Sequence, residues 1–472
     1  MKIKQIKWKK LLIPVLVGLI IWLCSPIKPQ GIPLNAWHIL AIFVATVIGC
    51  ITQPFPIAGV SIIGLTIMIL TGTVSMEKAA SGFGNTVVWM IAMAYFMSRG
   101  FIKTGLGRRV GLLFIRLFGK KSLGLAYSLI GIDLITAPAT PSSAARAGGI
   151  VFPIIKSIAK LYHSDPKDHT QRKIGSFLIF TEFHGDLINS GLFMTAMAPN
   201  LVVVGLAKPF GLTLSWSQWL LAALAPAIIS LIAVPYFIYK MYPPEIKDTP
   251  HAGQWAEKEL KTLGKITPPE KIMLSIFILA LVLWMLSSFI GLDATLVAFI
   301  AVSLLVLSGV LTVKDLLNES SAWNVLLWIS ILVFMANQLD ETGLIPWLEN
   351  SIGNILENTN WIIVLVVLML FYFYSHYLFA SGTAHVSAMY SALLGIAVSV
   401  GAPKMLSAYL LGFTAAIFSS TTHYASGTAA LLFGPGYVDQ TSWWKMNFIL
   451  GIFYLLVWGI IGTFWMKLIG VW

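Results

Sequence analysis

Apolar residues in this chain come as long, nearly unbroken runs separated by short polar stretches, rather than at the spacing of amphipathic helices or strands. A helix needs about 20 predominantly apolar residues to cross the hydrocarbon core of a bilayer. On that measure the pattern predicts spans near residues 11–24, 37–51, 60–71, 87–102, 174–207 and 219–241. After a polar stretch at 243–271, further apolar runs lie near 272–289, 296–311, 323–338, 362–377, 385–400, 405–419 and 448–466. The expected fold class is an all-α polytopic membrane protein.

Composition agrees with the pattern. Of the 472 residues 57% are apolar and 11% charged, against roughly 25% charged in soluble domains. The formal charge of +12 would suggest nucleic acid in a soluble chain. Here the basic residues collect in short loops, which is positive-inside topology, so no nucleic-acid partner is expected. The basic N-terminus followed by residues 11–24 has the look of a signal peptide. It lacks a small-residue cleavage site, and Pro26, Lys28 and Pro29 follow, so it reads as a first span with a cytoplasmic head. Four crossings then return the chain to the cytoplasm at residues 99–121, a stretch expected to be a loop, with seven Lys or Arg and no acid. No Lys or Arg occurs between Lys314 and Lys404, so that interval, with Asp340, Glu341, Glu349 and Glu357, is expected outside. The polar stretch at 243–271 should be cytoplasmic, and its mixed charges suggest an amphipathic surface helix or a linker. The expected setting is a bacterial cytoplasmic membrane, N-terminus inside and C-terminus outside. Cys24 and Cys50 both lie in apolar runs, which supports neither a disulfide framework nor a thiolate metal site.

Two apolar segments are interrupted by small polar residues: ITAPATPSSAARAGGIVFP around Ser142 and SHYLFASGTAHVSAMY around Ser381. Ser142, Ala145 and Arg146 match Ser381, Ala384 and His385 at one offset (381 − 142 = 239; 385 − 146 = 239). The first follows a cytoplasmic loop and the second an external one, so each reads as a re-entrant hairpin dipping in from opposite faces. Inverted repeats with interrupted segments mark the binding sites of carriers. Broken helices free N–H groups at half-helix N-termini, where a carboxylate is favoured without a full cationic charge. The hydroxyls of Ser142, Ser143, Ser381 and Thr383 can donate to the same oxygens. Two tips meeting near the midplane would suit a substrate with two acid groups. The alternative is that these small residues merely permit close helix packing.

These segments, with LSWSQWLLAALAP from Leu214 and THYASGTAALLFGPGYVDQTSWWK from Thr422, resemble the divalent anion:sodium symporter family over nearly the whole chain. The likeness is strongest to its exchanger branch, with bacterial citrate/succinate and tartrate/succinate antiporters and a plastid 2-oxoglutarate/malate translocator. The resemblance implies about eleven transmembrane helices, two re-entrant hairpins, a homodimer, and an elevator in which a transport domain carries the substrate past a fixed scaffold. Residues 1–121 and 272–345 would then be scaffold, 122–242 and 346–472 the moving halves, and 243–271 the linker. It also implies that two further broken segments, TAMAPN at 195–200 and YASGT at 424–428, face the tips. This adds Asn200, Ser426 and Thr428 to the candidate substrate residues Ser142, Ser143, Arg146, Ser381, Gly382, Thr383 and His385.

Sodium-coupled members of the family carry Ser-Asn-Thr at each tip. Here the tips read Ser142-Ser143-Ala144 and Ser381-Gly382-Thr383, so no metal site is expected at them. Arg146 and His385 stand just beyond, and the expectation is that these fixed bases do sodium's electrostatic work. An empty carrier would then have to move an uncompensated guanidinium, which would favour exchange. The competing readings are a salt bridge from Arg146 to Asp133 or Asp186, and a hydrogen-bonded packing role for His385. Expected substrates are small dicarboxylates such as succinate, fumarate, malate and 2-oxoglutarate; a sodium-driven symporter and an anion channel are the alternatives. The cluster Glu182, His184 and Asp186 lacks HExxH zinc spacing, and no GxxxxGK[ST] loop occurs. The chain therefore reads as neither hydrolase nor ATP-driven pump, with no cofactor.

Overall fold

The computed structural model describes residues 8–347, 351 and 359–472. The basic head at 1–7 and the acidic residues Glu349 and Glu357 lie outside them. Among the described residues the fold is all-helical, with one isolated bridge between Lys121 and Asp248. Seven helices are long and apolar enough to cross a membrane, and an eighth results if Met76–Gly84 and Thr86–Thr104, bent by 46°, count as one span. Shorter apolar helices, such as Ile57–Leu70 and Ala294–Leu307, fall below that length.

The ends of the helices follow local chemistry. Gly72, Gly105, Gly309 and Gly343 stop theirs with φ of 70°, 75°, 74° and 91°, a region open to glycine at no steric cost. Two of these stops repeat across the halves (309 − 72 = 237; 343 − 105 = 238). So do the caps that follow: the Ser75 hydroxyl accepts from the Lys78 amide and the Thr312 hydroxyl from the Asp315 amide. The repeat thus extends well beyond the hairpins.

It also produces a pair of reciprocal ion pairs. Lys78 meets Glu341 at 2.7 Å and Lys103 meets Asp315 at 2.6 Å. Lys78 and Asp315 are repeat equivalents (315 − 78 = 237), as are Lys103 and Glu341 (341 − 103 = 238), with the signs exchanged.

Residues 99–118 are helical on either side of Gly105 rather than a loop. Arg99 and Lys103 end helix Thr86–Thr104, and Leu106–Phe118 is strongly amphipathic, burying Leu106, Leu112 and Ile115. Its charged side grips the linker, where helix Pro250–Leu263 forms: Arg108 pairs with Glu259, and Arg109 with Glu270. The expected single run at 174–207 is two helices, Gly175–Leu192 and Ala198–Ala207, and the last span begins early, at Gln440.

The two interrupted segments are helical hairpins. In the first, Ser122–Thr136 runs to a bend at 137–142 and returns as a helix over 143–161 with a π-turn at Ala147–Val151. In the second, Trp361–Ser375 runs to a bend at 376–381 and returns as Gly382–Ser399. Each is followed by a broken helix: Gly175–Leu192 with Ala198–Ala207, and Lys404–Ile417 with Gly427–Phe433. Every residue of Gly175–Leu192 is buried. It is the central post, packed by the first hairpin, by Trp216–Met241 and by the second broken helix.

Candidate functional site

Backbone breaks inside a buried bundle require partners for the freed carbonyls, and at the first break side chains supply several of them. The Asn200 amide donates to the Ser190 and Phe193 carbonyls at 2.7 and 3.0 Å, and the Trp219 indole to Gly191 at 3.0 Å. Arg146 donates to Ala196 at 2.8 Å. The Thr195 hydroxyl then staples the break to the first hairpin's bend through the Pro138 carbonyl at 2.6 Å.

Three of the helix starts share one cap. The hydroxyl oxygens of Ser142, Ser381 and Ser426 accept from the amides of Ala145, Ala384 and Ala429 at 3.2, 3.3 and 3.1 Å. This is the reason for the Ser-x-x-Ala spacing: the first turn leaves amides without partners, and a serine three residues earlier satisfies one. Accepting leaves each O–H free to donate elsewhere.

The tips cross over between the repeats. A Cβ built on Gly427 would lie 3.1 Å from the Ala144 methyl, so the first tip sits against the second broken helix. A Cβ on Gly382 would lie 3.4 Å from the Phe418 ring and 3.7 Å from Pro199 and Ser419, so the second tip sits against the first broken helix. At the first junction is a cavity of about 20 Å³, lined by Ser143, Asp186, Ser190, Ser419, Ser426 and Thr428, with Phe183, Leu187, Met197 and Ala416 as its apolar wall. The volume is that of a water-sized occupant, so any larger one requires these walls to part.

Of the expected residues, Ser143, Ser426 and Thr428 are brought together here. Ser142 and Ser381 hold their helix starts, Gly382 and Thr383 stand at the second tip, and Asn200 holds the break. Ser190 and Ser419 were missed. Ser190 was findable, since it follows Asp186 by four residues and shares its helix face.

Arg146 does not face the cavity with a free charge. Its Nε donates to Asp133 at 2.6 Å; one Nη donates to Asp186 at 2.6 Å and Ser190 at 2.8 Å, and the other to the Thr140 and Ala196 carbonyls at 2.8 Å each. A guanidinium has five N–H donors, and all five are taken. The salt bridge considered as an alternative is therefore present twice over, and the expectation of an uncompensated guanidinium is corrected. The reason is physical: an isolated charge at 0% exposure is untenable, so the fold supplies carboxylates for it. Two of its partners, Asp186 and Ser190, line the cavity, so Arg146 acts on it from behind.

His385 likewise has a partner that sequence reasoning passed over. Its Nδ1 lies 2.9 Å from Nδ1 of His376, whose Nε2 is 2.9 Å from the Ala425 carbonyl; its Nε2 lies 3.0 Å from the Ser375 hydroxyl. Since a carbonyl only accepts, His376 carries its proton on Nε2. His385 can then donate from Nδ1 and accept from Ser375, which leaves both rings neutral. Phe418 stacks on His376 at 4.0 Å and Phe379 on His385 at 4.1 Å. His376 was findable in the SHYLF stretch, and it ties the second hairpin to the residue before Ser426. His184 faces Tyr454 and Asn447 at 3.0 and 3.1 Å, away from Asp186, a packing role.

Comparison with known proteins now adds to this geometry. Residues 5–472 match the family described as the sodium:sulfate symporter transmembrane region. The chain belongs to this family. It is a membrane transporter, and the divalent-anion-symporter resemblance seen in its motifs holds across its length. It is 48% identical over 100% of its length, and 98% of the relative's, to YflS of Bacillus subtilis (strain 168), a protein named provisionally for malate transport. It is 42% identical over 98% of its length to the chloroplastic dicarboxylate transporter 1 of Spinacia oleracea, covering 82% of that protein. It is 33% identical over 98% of its length, and 99% of the relative's, to an L-tartrate/succinate antiporter of Escherichia coli. Solved structures of the Alcanivorax borkumensis YdaH transporter and Neisseria gonorrhoeae MtrF superpose with TM-scores of 0.59 and 0.58, over 97% and 94% of this chain and 98% and 97% of theirs. At 13% and 11% identity they share the fold alone.

Proposed function

We propose that the protein exchanges C4 and C5 dicarboxylates, succinate, fumarate, malate and 2-oxoglutarate among them, without sodium. The observation that carries this reading is the convergence of Ser143, Ser426 and Thr428 from opposite halves of the chain on one cavity. The amides starting the helix at 143–161 and the three hydroxyls offer neutral donors to carboxylate oxygens. The second tip, with Ser381, Gly382 and Thr383, borders Ser419 on the other side and supplies donors for the second acid group. The named activities of the relatives point to the same substrate class.

Arg146 contributes by holding Asp186 and Ser190 in place and cancelling charge beside the site. His385, joined to His376, holds the second tip in place without bringing a charge to it. Exchange rather than one-way movement rests on the Escherichia coli relative's named antiport, because the balanced guanidinium withdraws the electrostatic argument for it. An elevator is supported by two helix groups. Gly175–Leu192 packs with the first hairpin and the second broken helix, whereas Leu34–Thr52, Ile57–Leu70 and Thr86–Thr104 pack with Ser320–Glu341. In this reading the hairpins are re-entrant, completing an eleven-span homodimer in the cytoplasmic membrane, N-terminus inside and C-terminus outside. The sodium-driven alternative has one observation in its favour, the unpartnered oxygens of Asn200, Thr421 and Thr422 near the breaks.

Proteoliposomes preloaded with succinate and offered each labelled dicarboxylate, in sodium or in choline medium, test the reading. Equal uptake in both media, lost when the interior is empty, is the expected result. Uptake that needs a sodium gradient would replace exchange by symport, and currents far above carrier turnover would replace both by a channel.

A further inference from the structure

Glu182 is a buried carboxyl for which the transport site described so far has no use. It lies mid-way along Gly175–Leu192 at 0% exposure, and neither of its oxygens has a hydrogen-bond partner. It stands one helical turn before Asp186, on the face turned to the first hairpin. The charges acting on it are Asp133 and Asp186, of its own sign, and Arg146. Every N–H of Arg146 is already committed to other acceptors, so none is left for a third carboxylate. With Asp133 and Asp186 ionised, the guanidinium is outweighed by one charge before Glu182 is counted. A buried carboxylate with no donor takes up a proton rather than stay ionised.

A metal ion is a poorer occupant, because among the described residues no three His, Cys, Asp or Glu converge closely enough to hold one. None of the other titratable groups around this helix hydrogen-bonds Glu182. His184 faces Tyr454 and Asn447, and Tyr239 lies against Phe177. Tyr409 lies against Trp219 and Phe413, while Lys156 and Lys160 are exposed. Helix Gly427–Phe433 carries no titratable residue.

We propose that Glu182 is a proton-binding site of the carrier, its carboxyl protonated while the dicarboxylate is bound beside Asp186 and ionising when the emptied site opens to water. This rests on the dicarboxylate reading of the cavity. The coupling is electrostatic: a dianion one turn away makes a third local carboxylate charge less tolerable, so substrate and proton each strengthen the other's binding. No bond is made except the O–H of Glu182, and its proton comes from and returns to water.

The test uses the full-length carrier in proteoliposomes with fumarate, which stays doubly ionised across the neutral range and keeps substrate titration out of the readout. For the parent, KM should rise with pH, by up to about tenfold per unit once Glu182 ionises in the open state. In Glu182→Gln, isosteric with the protonated acid, KM should stay flat at the parent's acid-side value. A variant that keeps the parent's pH dependence would overturn the proposal. If the variant does not fold, infrared spectroscopy of the purified parent saturated with fumarate decides: a protonated carboxyl C=O band that shifts in Glu182→Asp supports the site, and its absence at neutral pH under saturating fumarate removes it. Failure of the parent to exchange fumarate would instead defeat the dicarboxylate reading, while the infrared result would still report on Glu182.

Discussion

The two hairpins place a basic side chain four residues after a capping serine, Arg146 after Ser142 and His385 after Ser381, and then treat it in opposite ways. The first surrounds its guanidinium with two carboxylates, a serine and two carbonyls. The second surrounds its imidazole with another imidazole, a serine and three aromatic rings. The difference follows from protonation. An arginine is charged wherever it sits, so burying it demands counter-charge; a histidine can enter neutral and needs only a donor and an acceptor. One backbone plan thus yields an ionic half and a neutral half.

The largest effect should come from breaking the ionic half. Arg146→Ala leaves Asp133 and Asp186 buried without their cation, and a loss of about 3–5 kcal/mol is expected, read as a collapse of thermal stability in detergent and loss of exchange. Arg146→Lys should recover little, since an ammonium cannot reproduce five donations in a planar fork. The neutral half should prove milder. His376→Ala removes the donor to Ala425 and the acceptor for His385, for about 1–3 kcal/mol, with exchange reduced but measurable. If both substitutions cost the same, the proposed inequality of the halves is wrong.

Much of this architecture was legible in the chain. The apolar runs announce the helices, and the Ser-x-x-Ala-basic repeat announces the hairpins, because capping is a local rule that leaves a local trace. What stayed hidden was pairing across distance. Nothing along the chain says that Arg146 closes on Asp133 and Asp186 together rather than on the substrate, or that His376 turns toward His385. The amphipathic helix at Leu106–Phe118 was hidden for another reason: its basic residues satisfy the topology rule whether they sit in a loop or on one face of a helix.

A smaller effect separates capping from binding. Ser426→Ala should lower stability by about 1 kcal/mol and weaken succinate binding, whereas Ser426→Asp keeps the cap and places a negative charge at the cavity. The aspartate variant sets its charge beside Asp186, so it should lose exchange together with some thermal stability. A transporting aspartate variant would confine Ser426 to capping.

The smallest effect concerns the reciprocal ion pairs. Lys103 and the Thr312 cap hold the Asp315 carboxyl well below the usual carboxylate range. Its contribution is present at neutral pH and is lost as the pH falls below about 4. Lys103→Ala should cost only about 0.2–1 kcal/mol, the range for partly exposed pairs. Exchanging the two residues, Lys103→Asp with Asp315→Lys, should restore most of it, as the repeat already does with Lys78 and Glu341.

The most direct measurement is substrate protection at the cavity. With Cys24 and Cys50 replaced by serine, Ser143→Cys and Ser426→Cys are each labelled with a maleimide in transport-competent proteoliposomes, with and without succinate. Labelling at both positions should slow sharply as succinate saturates, whether or not sodium is present, while a cysteine at exposed Lys156 is unaffected. Rates at 143 and 426 that ignore saturating succinate in variants that still exchange it would place the substrate elsewhere and contradict the account.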